Sequence, residues 1–178
     1  MLIDLTLKIE LDINSKSVSD LCHYGTHYDS MYVDYDLKKC VTVGKLVTVE
    51  EIRDRQIIPE DFNSIGLNEG DFLIFRTGWL KEKTFGTEEY SKDYPELADS
   101  TINYLISKKV GLIGIDTPAI KNARDHIKAD IYCGKNNLFI VENLANLELI
   151  NKEIFKVYCF PLNLQNVTGL PCRVVAEV

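Results

Sequence analysis

Several short apolar segments, each bounded by polar or turn-forming residues, set the strongest limit on the fold of this chain. Residues 71–76, 110–115 and 138–141 are such segments, with Gly70 just before the first and Asp116 just after the second. Runs of this length are typical of buried strands, whereas buried helices generally need about 10–12 residues. The core is therefore predicted to contain a β-sheet.

The remaining patterns add further strands and two helices. Strands are predicted over 2–9, 155–162 and 172–178. Thr48 can cap a helix over 48–55, and a second helix over 94–109 would carry its apolar residues on one side. Strands interspersed with helices predict an α/β or α+β fold, with mixed strand pairing favoured over a purely parallel sheet. With no linker and no internal repeat, residues 1–178 are interpreted as one domain.

Composition and charge exclude several classes of protein. The chain has 178 residues, 46% of them hydrophobic, and a net charge of −7, which argues against binding to nucleic acid or to an anionic membrane. No apolar run approaches the roughly 20 residues of a membrane span, and no secretion signal is evident. Five scattered cysteines without a C-x-x-C pair indicate reduced thiols. We therefore expect a cytoplasmic protein.

One short segment carries potential metal ligands. His23, His27 and Asp29 lie within seven residues, and imidazole with carboxylate suits zinc, manganese or iron. Gly25 permits unusual backbone angles between them, so the three residues need not lie on a helix. Histidines four residues apart can also share a helix face by chance. With the carboxylate added, a metal site is the better interpretation.

A second acidic group follows the apolar run 138–141. Glu142 comes directly after that run, and Asp130 lies twelve residues earlier, beyond a predicted loop. Each has a simpler interpretation, because a carboxylate after a strand is commonly a helix cap or solvated, and an isolated aspartate is commonly on the surface. Considered alone, neither residue indicates a site.

The segment 23–29 resembles the H-x-G-T-H-x-D signature of the cyclase-like metal-dependent hydrolases, the family of bacterial kynurenine formamidase and isatin hydrolase. Further segments are similar to that family in the same order, namely 69–79, 114–118, 142–147, 161–162 and 171–176. The resemblance covers nearly the whole chain. It implies a swivelling β/β/α-type domain with a mixed sheet and flanking helices, usually assembled as a homodimer or homotetramer.

The resemblance also implies a set of metal ligands. His23, His27 and Asp29 would hold one divalent ion, and Asp29 would bridge to a second ion held by Glu142 and a later histidine. That histidine aligns with Asp130 in this chain. An oxygen ligand in place of nitrogen hardens the site, which could favour manganese or magnesium over zinc, or the change could mean that only one ion binds. The expected cofactor is therefore Zn²⁺ or Mn²⁺, as one ion or two.

A second departure concerns proton transfer. The family pattern places its acid/base histidine at the position of Val33, and valine cannot transfer a proton. Replacements could come from Tyr28, Tyr32, Asp34 or His126. Each also has a simpler role, the tyrosines in packing, the aspartate in solvent and the histidine in a surface loop. The catalytic group is therefore left unassigned, with His126 as a weak candidate.

These features favour a metal-dependent hydrolase that uses an activated water on a small amide, cyclic amide or related ester. The resemblance implies a longer loop before the first histidine, which in the formamidases contributes a tryptophan to the substrate pocket. Kynurenine formamidase proper is not expected, because the segment between Thr6 and His23 is short and has no tryptophan, and Trp79 belongs to the segment 69–79. Two alternatives are open. The chain could bind metal and a small molecule without turnover, or its histidines could be purely structural.

Overall fold

The computed structural model describes residues 1–10, 21–33 and 35–178 of the chain. Within these ranges it has eight strands and three α-helices. The strands are β1 (Leu2–Asp4), β2 (His27–Asp29), β3 (Val41–Thr48), β4 (Phe72–Arg76), β5 (Leu112–Ile115), β6 (Phe139–Glu142), β7 (Ile154–Pro161) and β8 (Gly169–Glu177). The helices are α1 (Trp79–Glu82), α2 (Asp99–Ser107) and α3 (His126–Lys135). None of these helices is long and apolar enough to cross a bilayer.

The strands form one mixed sheet in the order β1-β8-β2-β6-β5-β4-β3-β7. Strand β7 also pairs with β8, so the sheet closes into a barrel with β1 outside the closed ring. The pairs β3–β4, β4–β5 and β5–β6 are parallel, and the other pairs are antiparallel. The predicted α/β class with a mixed sheet is confirmed.

Strand alternation divides the core into two layers. On β4, Phe72 and Ile74 belong to the cluster inside the barrel, whereas Leu73 and Phe75 belong to a cluster on the outer face. Helices α2 and α3 cover that outer face, with Leu105 among the buried residues they contribute. A sheet buried on both faces explains why its central strands are continuously apolar in sequence.

Two predicted helices differ from the observed structure. The helix over 48–55 is wrong, because Thr48 ends β3 and the amide of Val49 donates to the carbonyl of Arg76. Residues 50–51 then form a turn. The helix predicted from Tyr94 begins only at Asp99, because an isolated bridge to Ile57 holds the preceding segment extended.

The segment before β6 is also a correction. The sequence interpretation placed a loop between Asp130 and Glu142, but residues 126–135 form helix α3. Gly134 lies on the buried side of this helix, beside Met31, and the two asparagines follow its end. Asp130, expected on the surface, is 1% exposed.

Gly114 lies at a point of tight packing in the sheet. A Cβ added there would lie 2.6 Å from Leu144 Cδ1 and 2.7 Å from Phe72 Cε2. Both distances are well inside van der Waals contact, and both neighbours are fully buried. A glycine at this position therefore lets β5 pack against the chain that follows β6.

We expect Gly114→Ala to lower the free energy of unfolding by about 1–3 kcal/mol, because overpacking forces neighbouring side chains to move. Gly66→Ala is the matched control, since an added Cβ there meets nothing within 4 Å. Urea denaturation of both variants measures the difference. Equal stabilities would contradict the packing described for β5.

Candidate metal centre

The register of two strands brings three potential ligands together. Antiparallel pairing of β2 with β6 places His27 opposite Glu142. Because side chains alternate along a strand, His27 and Asp29 share one face and Tyr28 points to the other. Tyr28 accordingly packs inside the barrel, and both ligands lie on the helix-covered face with exposures of 2%.

The segment before β2 adds His23. Its Nδ1 lies 3.3 Å from Asp29 Oδ1, and its Nε2 lies 2.8 Å from Thr168 Oγ1. Gly169 makes room for the ring, because a Cβ there would lie 2.6 Å from His23 Cε1. Gly25 adopts φ +76°, a left-handed conformation that glycine adopts without strain.

Hydrogen bonding fixes the orientation of His27. Its Nδ1 lies 2.9 Å from the carbonyl oxygen of Gly25, which can only accept a hydrogen bond. Nδ1 therefore carries a proton, and in the neutral ring the lone pair is on Nε2. That atom lies 3.3 Å from Glu142 Oε2 and 3.5 Å from Asp29 Oδ1. Orientation of a metal-ligating histidine by a backbone carbonyl is common.

The same carbonyl links His27 to the pocket wall. Asn143 Nδ2 donates to the Gly25 oxygen at 3.0 Å, and Tyr90 Oη donates to Asn143 Oδ1 at 2.7 Å. Tyr90, Asn143 and Gly25 thus form a buried network around the imidazole. Sequence analysis missed the parts played by Tyr90 and Asn143, because no local pattern relates positions so far apart.

Helix α3 contributes a second group of ligands. His126 and Asp130 lie one turn apart, with Nε2 and Oδ2 separated by 3.3 Å. The other ring nitrogen of His126 lies 4.0 Å from Glu142 Oε1. The chain has three histidines in all, and the structure brings all of them to this place.

The potential ligands form two adjacent groups. One consists of His23, His27 and Asp29, and the other of His126, Asp130 and Glu142. Within each group, one donor atom from every residue lies within 4.8 Å of the others. Four of the five predicted ligands are strictly buried, and His23 is at the surface. The structure therefore places all five near one another and adds His126.

Buried polar atoms of this site lack hydrogen-bond partners in the part of the chain that the structure describes. There are seven of them: His27 Nε2, both oxygens of Asp29, His126 Nδ1, both oxygens of Asp130, and Glu142 Oε1. Buried polar groups are almost always hydrogen-bonded, so this concentration requires a physical reason. A cation between the two groups would supply it, and imidazole with carboxylate is a donor set that suits a divalent transition metal.

Electrostatics lead to the same conclusion. Burial, together with the charge of Asp29, raises the pKa of Asp130 to about 8 and raises that of Glu142 well above its usual range. Burial disfavours the charged form of Asp29 as well, but His27 and His23 hold its pKa below the usual value. Burial lowers the pKa of His126. The three carboxyl groups therefore cannot all be ionised at neutral pH without additional positive charge beside them.

The ligand groups line a cavity of about 500 Å³. Its other walls are largely apolar and aromatic. Phe85 is central to them, with its ring centroid 5.2 Å from that of Tyr24 and 5.6 Å from that of Tyr90. Pro118 and Ile127 complete the opening. A cavity of this size accommodates a small molecule.

The candidates for proton transfer lie in different parts of the structure. Val33 and Tyr32 line a different cavity, beside Tyr35 and Leu162, and Tyr28 is buried inside the barrel. Asp34 lies outside the described residues. His126 lies in the metal-centre cavity, at the start of a helix and not in a surface loop. His126 lies four residues before Asp130 in the sequence, and this spacing puts both side chains on one face because residues 126–135 form a helix and not the predicted loop.

Comparisons with known proteins agree with this fold. The family model Cyclase, described as "Putative cyclase", matches residues 3–122. The chain is 24% identical over 173 residues to kynurenine formamidase from Bacillus cereus, covering 92% of this chain and 79% of that protein. It is 27% identical over 156 residues to cyclase-like protein 3 from Oryza sativa subsp. japonica, covering 86% of this chain and 58% of that protein.

Solved structures show the same fold. Isatin hydrolase A from Labrenzia aggregata superposes with a TM-score of 0.81 at 18% identity, covering all of this chain and 93% of the other. A protein described as a "potential metal-dependent hydrolase with cyclase activity" superposes with a TM-score of 0.80 at 22% identity, covering 99% and 96% of the two chains.

The family predicted from the sequence motifs is confirmed. The relatives include hydrolases, as the motifs also predicted. The family match spans well over half of the sequence and includes the first ligand group. The chain belongs to the Cyclase family.

Proposed function

We propose that this chain is a metal-dependent hydrolase of a small amide, cyclic amide or related ester. Its metal ligands would be His23, His27, Asp29, Asp130 and Glu142, and they would hold one or two ions of Zn²⁺ or Mn²⁺. The observation that carries the proposal is a set of seven buried polar atoms beside an apolar cavity that have no hydrogen-bond partner among the described residues.

Each part of the site has a definite task in this proposal. The Gly25 carbonyl orients His27, and Thr168 contacts His23, so that both rings are held in place before a substrate arrives. Tyr24 and Phe85 offer apolar surface that orients the substrate and excludes water from the reacting bond. The chemistry that a divalent metal supplies when bound is activation of water and polarisation of a carbonyl group.

The size and character of the cavity support the substrate class. About 500 Å³ with aromatic walls suits a compact, mostly apolar molecule. Relatives named as a kynurenine formamidase and an isatin hydrolase support hydrolysis of a C–N bond in such a molecule. Kynurenine formamidase activity proper stays excluded from the proposal on the sequence argument, although most of the segment on which it rests, residues 11–20, lies outside the described residues.

Assembly and location are also proposals. We infer a homodimer or homotetramer from the family resemblance, and a cytoplasmic location from the five scattered cysteines without a C-x-x-C pair. Leu37, Phe160 and Leu162 are exposed apolar residues that line one surface cavity. Grouped apolar surface is typical of contacts between proteins.

The proposed function predicts linked loss of metal and activity. His27→Ala should remove at least one bound ion and reduce hydrolysis by more than about 100-fold, beyond the 10–100-fold typical of changes outside the ligand shell. The assay uses N-formylaniline, isatin and small lactams, with metal content measured by elemental analysis. The exposed Lys128→Ala serves as control.

Two outcomes would contradict the proposal. Protein that takes up no zinc or manganese would eliminate a metal centre and leave the histidines structural. Protein that holds metal but turns over none of the substrates would favour the alternative function, a family member that binds metal and a small molecule without catalysis.

The position of Val33 generates a further prediction. Val33→His should give no measurable gain in hydrolysis, because this side chain lines the cavity with Tyr35 and Leu162 and not the one at the metal centre. The same substrate panel measures it. A gain of about tenfold or more would show that this segment reaches the site and would contradict the structure there.

The raised carboxyl pKa values predict how pH affects metal-free protein. Asp130 titrates near 3.9 when unfolded and at about 8 in the fold, so its stabilising contribution is present below pH 4 and is lost as pH rises towards 8. Glu142 acts in the same direction. The lowered pKa of His126 opposes this trend, but that ring is partly exposed and contributes less.

In a chelator, the free energy of unfolding should therefore fall between pH 4 and pH 8, and Asp130→Asn should make the fall shallower. Saturation with Mn²⁺ should abolish it, because bound cations replace the protons. Urea denaturation at a series of pH values measures both effects. Stability that is flat or rising in metal-free protein would contradict the described crowding of carboxylates.

A further inference from the structure

We infer that His126 is a metal ligand, and that with Asp130 and Glu142 it forms an oxygen-rich position that prefers Mn²⁺, beside a nitrogen-rich position that prefers Zn²⁺. This inference rests on the proposed metal centre. It differs from the sequence interpretation, in which Asp130 alone stands at the aligned position and His126 is a weak candidate for proton transfer.

The placement of His126 on α3 is the first argument. Residues four apart on a helix share one face, so His126 and Asp130 both project towards Glu142 at the end of β6. The ring is anchored close to both carboxylates, at 3.3 Å from Asp130 and 4.0 Å from Glu142. The imidazole therefore belongs to the second ligand group and does not project freely into the cavity.

The hydrogen-bonding capacity of the ring is the second argument. A neutral imidazole has one N–H donor and one lone pair. Each nitrogen of His126 faces a carboxylate oxygen, so in the neutral ring one lone pair points at a negative charge. Nδ1 is buried and has no hydrogen-bond partner among the described residues. A cation between the ring and the carboxylates turns that repulsion into coordination.

Asp130 supplies an independent observation. It is 1% exposed, and neither of its oxygens has a hydrogen-bond partner in the described part of the chain. Burying a carboxylate without compensation costs several kcal/mol. Among the described residues, the ion-pair partner of Asp130 is the ring of His126, so a bound divalent ion between the two is the compensation that the geometry allows.

The two ligand groups differ in chemical character. His23 and His27 give the first position two nitrogens beside Asp29. The second position has one nitrogen, from His126, and two carboxylates. Imidazole-rich sites suit zinc, whereas carboxylate-rich sites suit manganese and magnesium. The three carboxylates of the centre balance most of the charge of two divalent ions, so both positions can be filled together.

The assignment also limits proton transfer. The chain has three histidines, and all of them would then be ligands. No imidazole remains to act as a general acid or base. If His126 instead transfers protons, its removal should leave metal binding intact, and this difference makes the two roles separable.

The first experiment strips the protein of metal and reloads it with Zn²⁺ and Mn²⁺. Wild-type protein should bind one equivalent of each per chain, by elemental analysis after dialysis. His126→Gln should keep the zinc and bind Mn²⁺ at least tenfold more weakly, as expected for loss of a ligand. Electron paramagnetic resonance of protein loaded with Mn²⁺ alone should change from a spin-coupled pair to a single-ion signal. Lys128→Gln, on the same helix and exposed, should behave as wild type.

A second variant moves the nitrogen ligand by one helical turn. The double substitution His126→Ala with Asp130→His should again bind two ions, with the second position now preferring Zn²⁺ because it has lost a carboxylate. Circular dichroism and thermal melting of each variant check the fold. The double variant tests the inference even if His126→Gln is unstable.

The outcomes separate this inference from the proposed function. Wild-type protein that binds no metal would overturn both. Two ions bound with unchanged affinity in His126→Gln would overturn the inference alone, and if hydrolysis were lost at the same time, His126 would be the proton-transfer group. Two equivalents of the same ion bound from the mixture would contradict the difference between the two positions.

Discussion

Burial of negative charge at the edge of the helix-covered face is the constraint around which this structure is organised. Asp29, Asp130 and Glu142 are each at most 2% exposed and lie close enough to affect one another's ionisation. Such a group persists only with compensating positive charge or bound protons. The three histidines supply nitrogen donors, and their ring nitrogens lie close to carboxylate oxygens, so that lone pairs of both kinds of atom face one another. A bound cation would make the contacts among these residues favourable.

The fold delivers this arrangement by simple means. Period-two alternation places Tyr28 inside the barrel and its two neighbours outside it, and the β2–β6 register sets His27 against Glu142. One turn of helix then aligns His126 with Asp130 above them. A single displacement of register would move the ligands of a strand to the opposite face. The site is therefore a consequence of how the sheet and α3 pack, and its precision depends on the barrel.

Much of this could be predicted from the sequence. The apolar segments ending at Arg76, Ile115 and Val141 indicated the central strands, because a sheet covered on both faces has continuously apolar strands. The compact ligand segment and the spaced motifs indicated the family. Local patterns misled where tertiary contacts decide. The segment after Thr48 has a helical pattern but forms a turn where β3 ends, and the burial of Asp130 depends on α3 lying against β6. Residues from three separate elements meet around His126, and no local window of sequence contains that information.

The central claim is that two different ions are bound, one in each ligand group. Anomalous diffraction at the zinc and manganese absorption edges, from crystals of protein reloaded with both metals, tests it most directly. The account predicts a zinc peak between His23, His27 and Asp29, and a manganese peak within coordination distance of His126, Asp130 and Glu142. Absence of both peaks, or a second peak with the His126 ring turned away from it, would contradict the account.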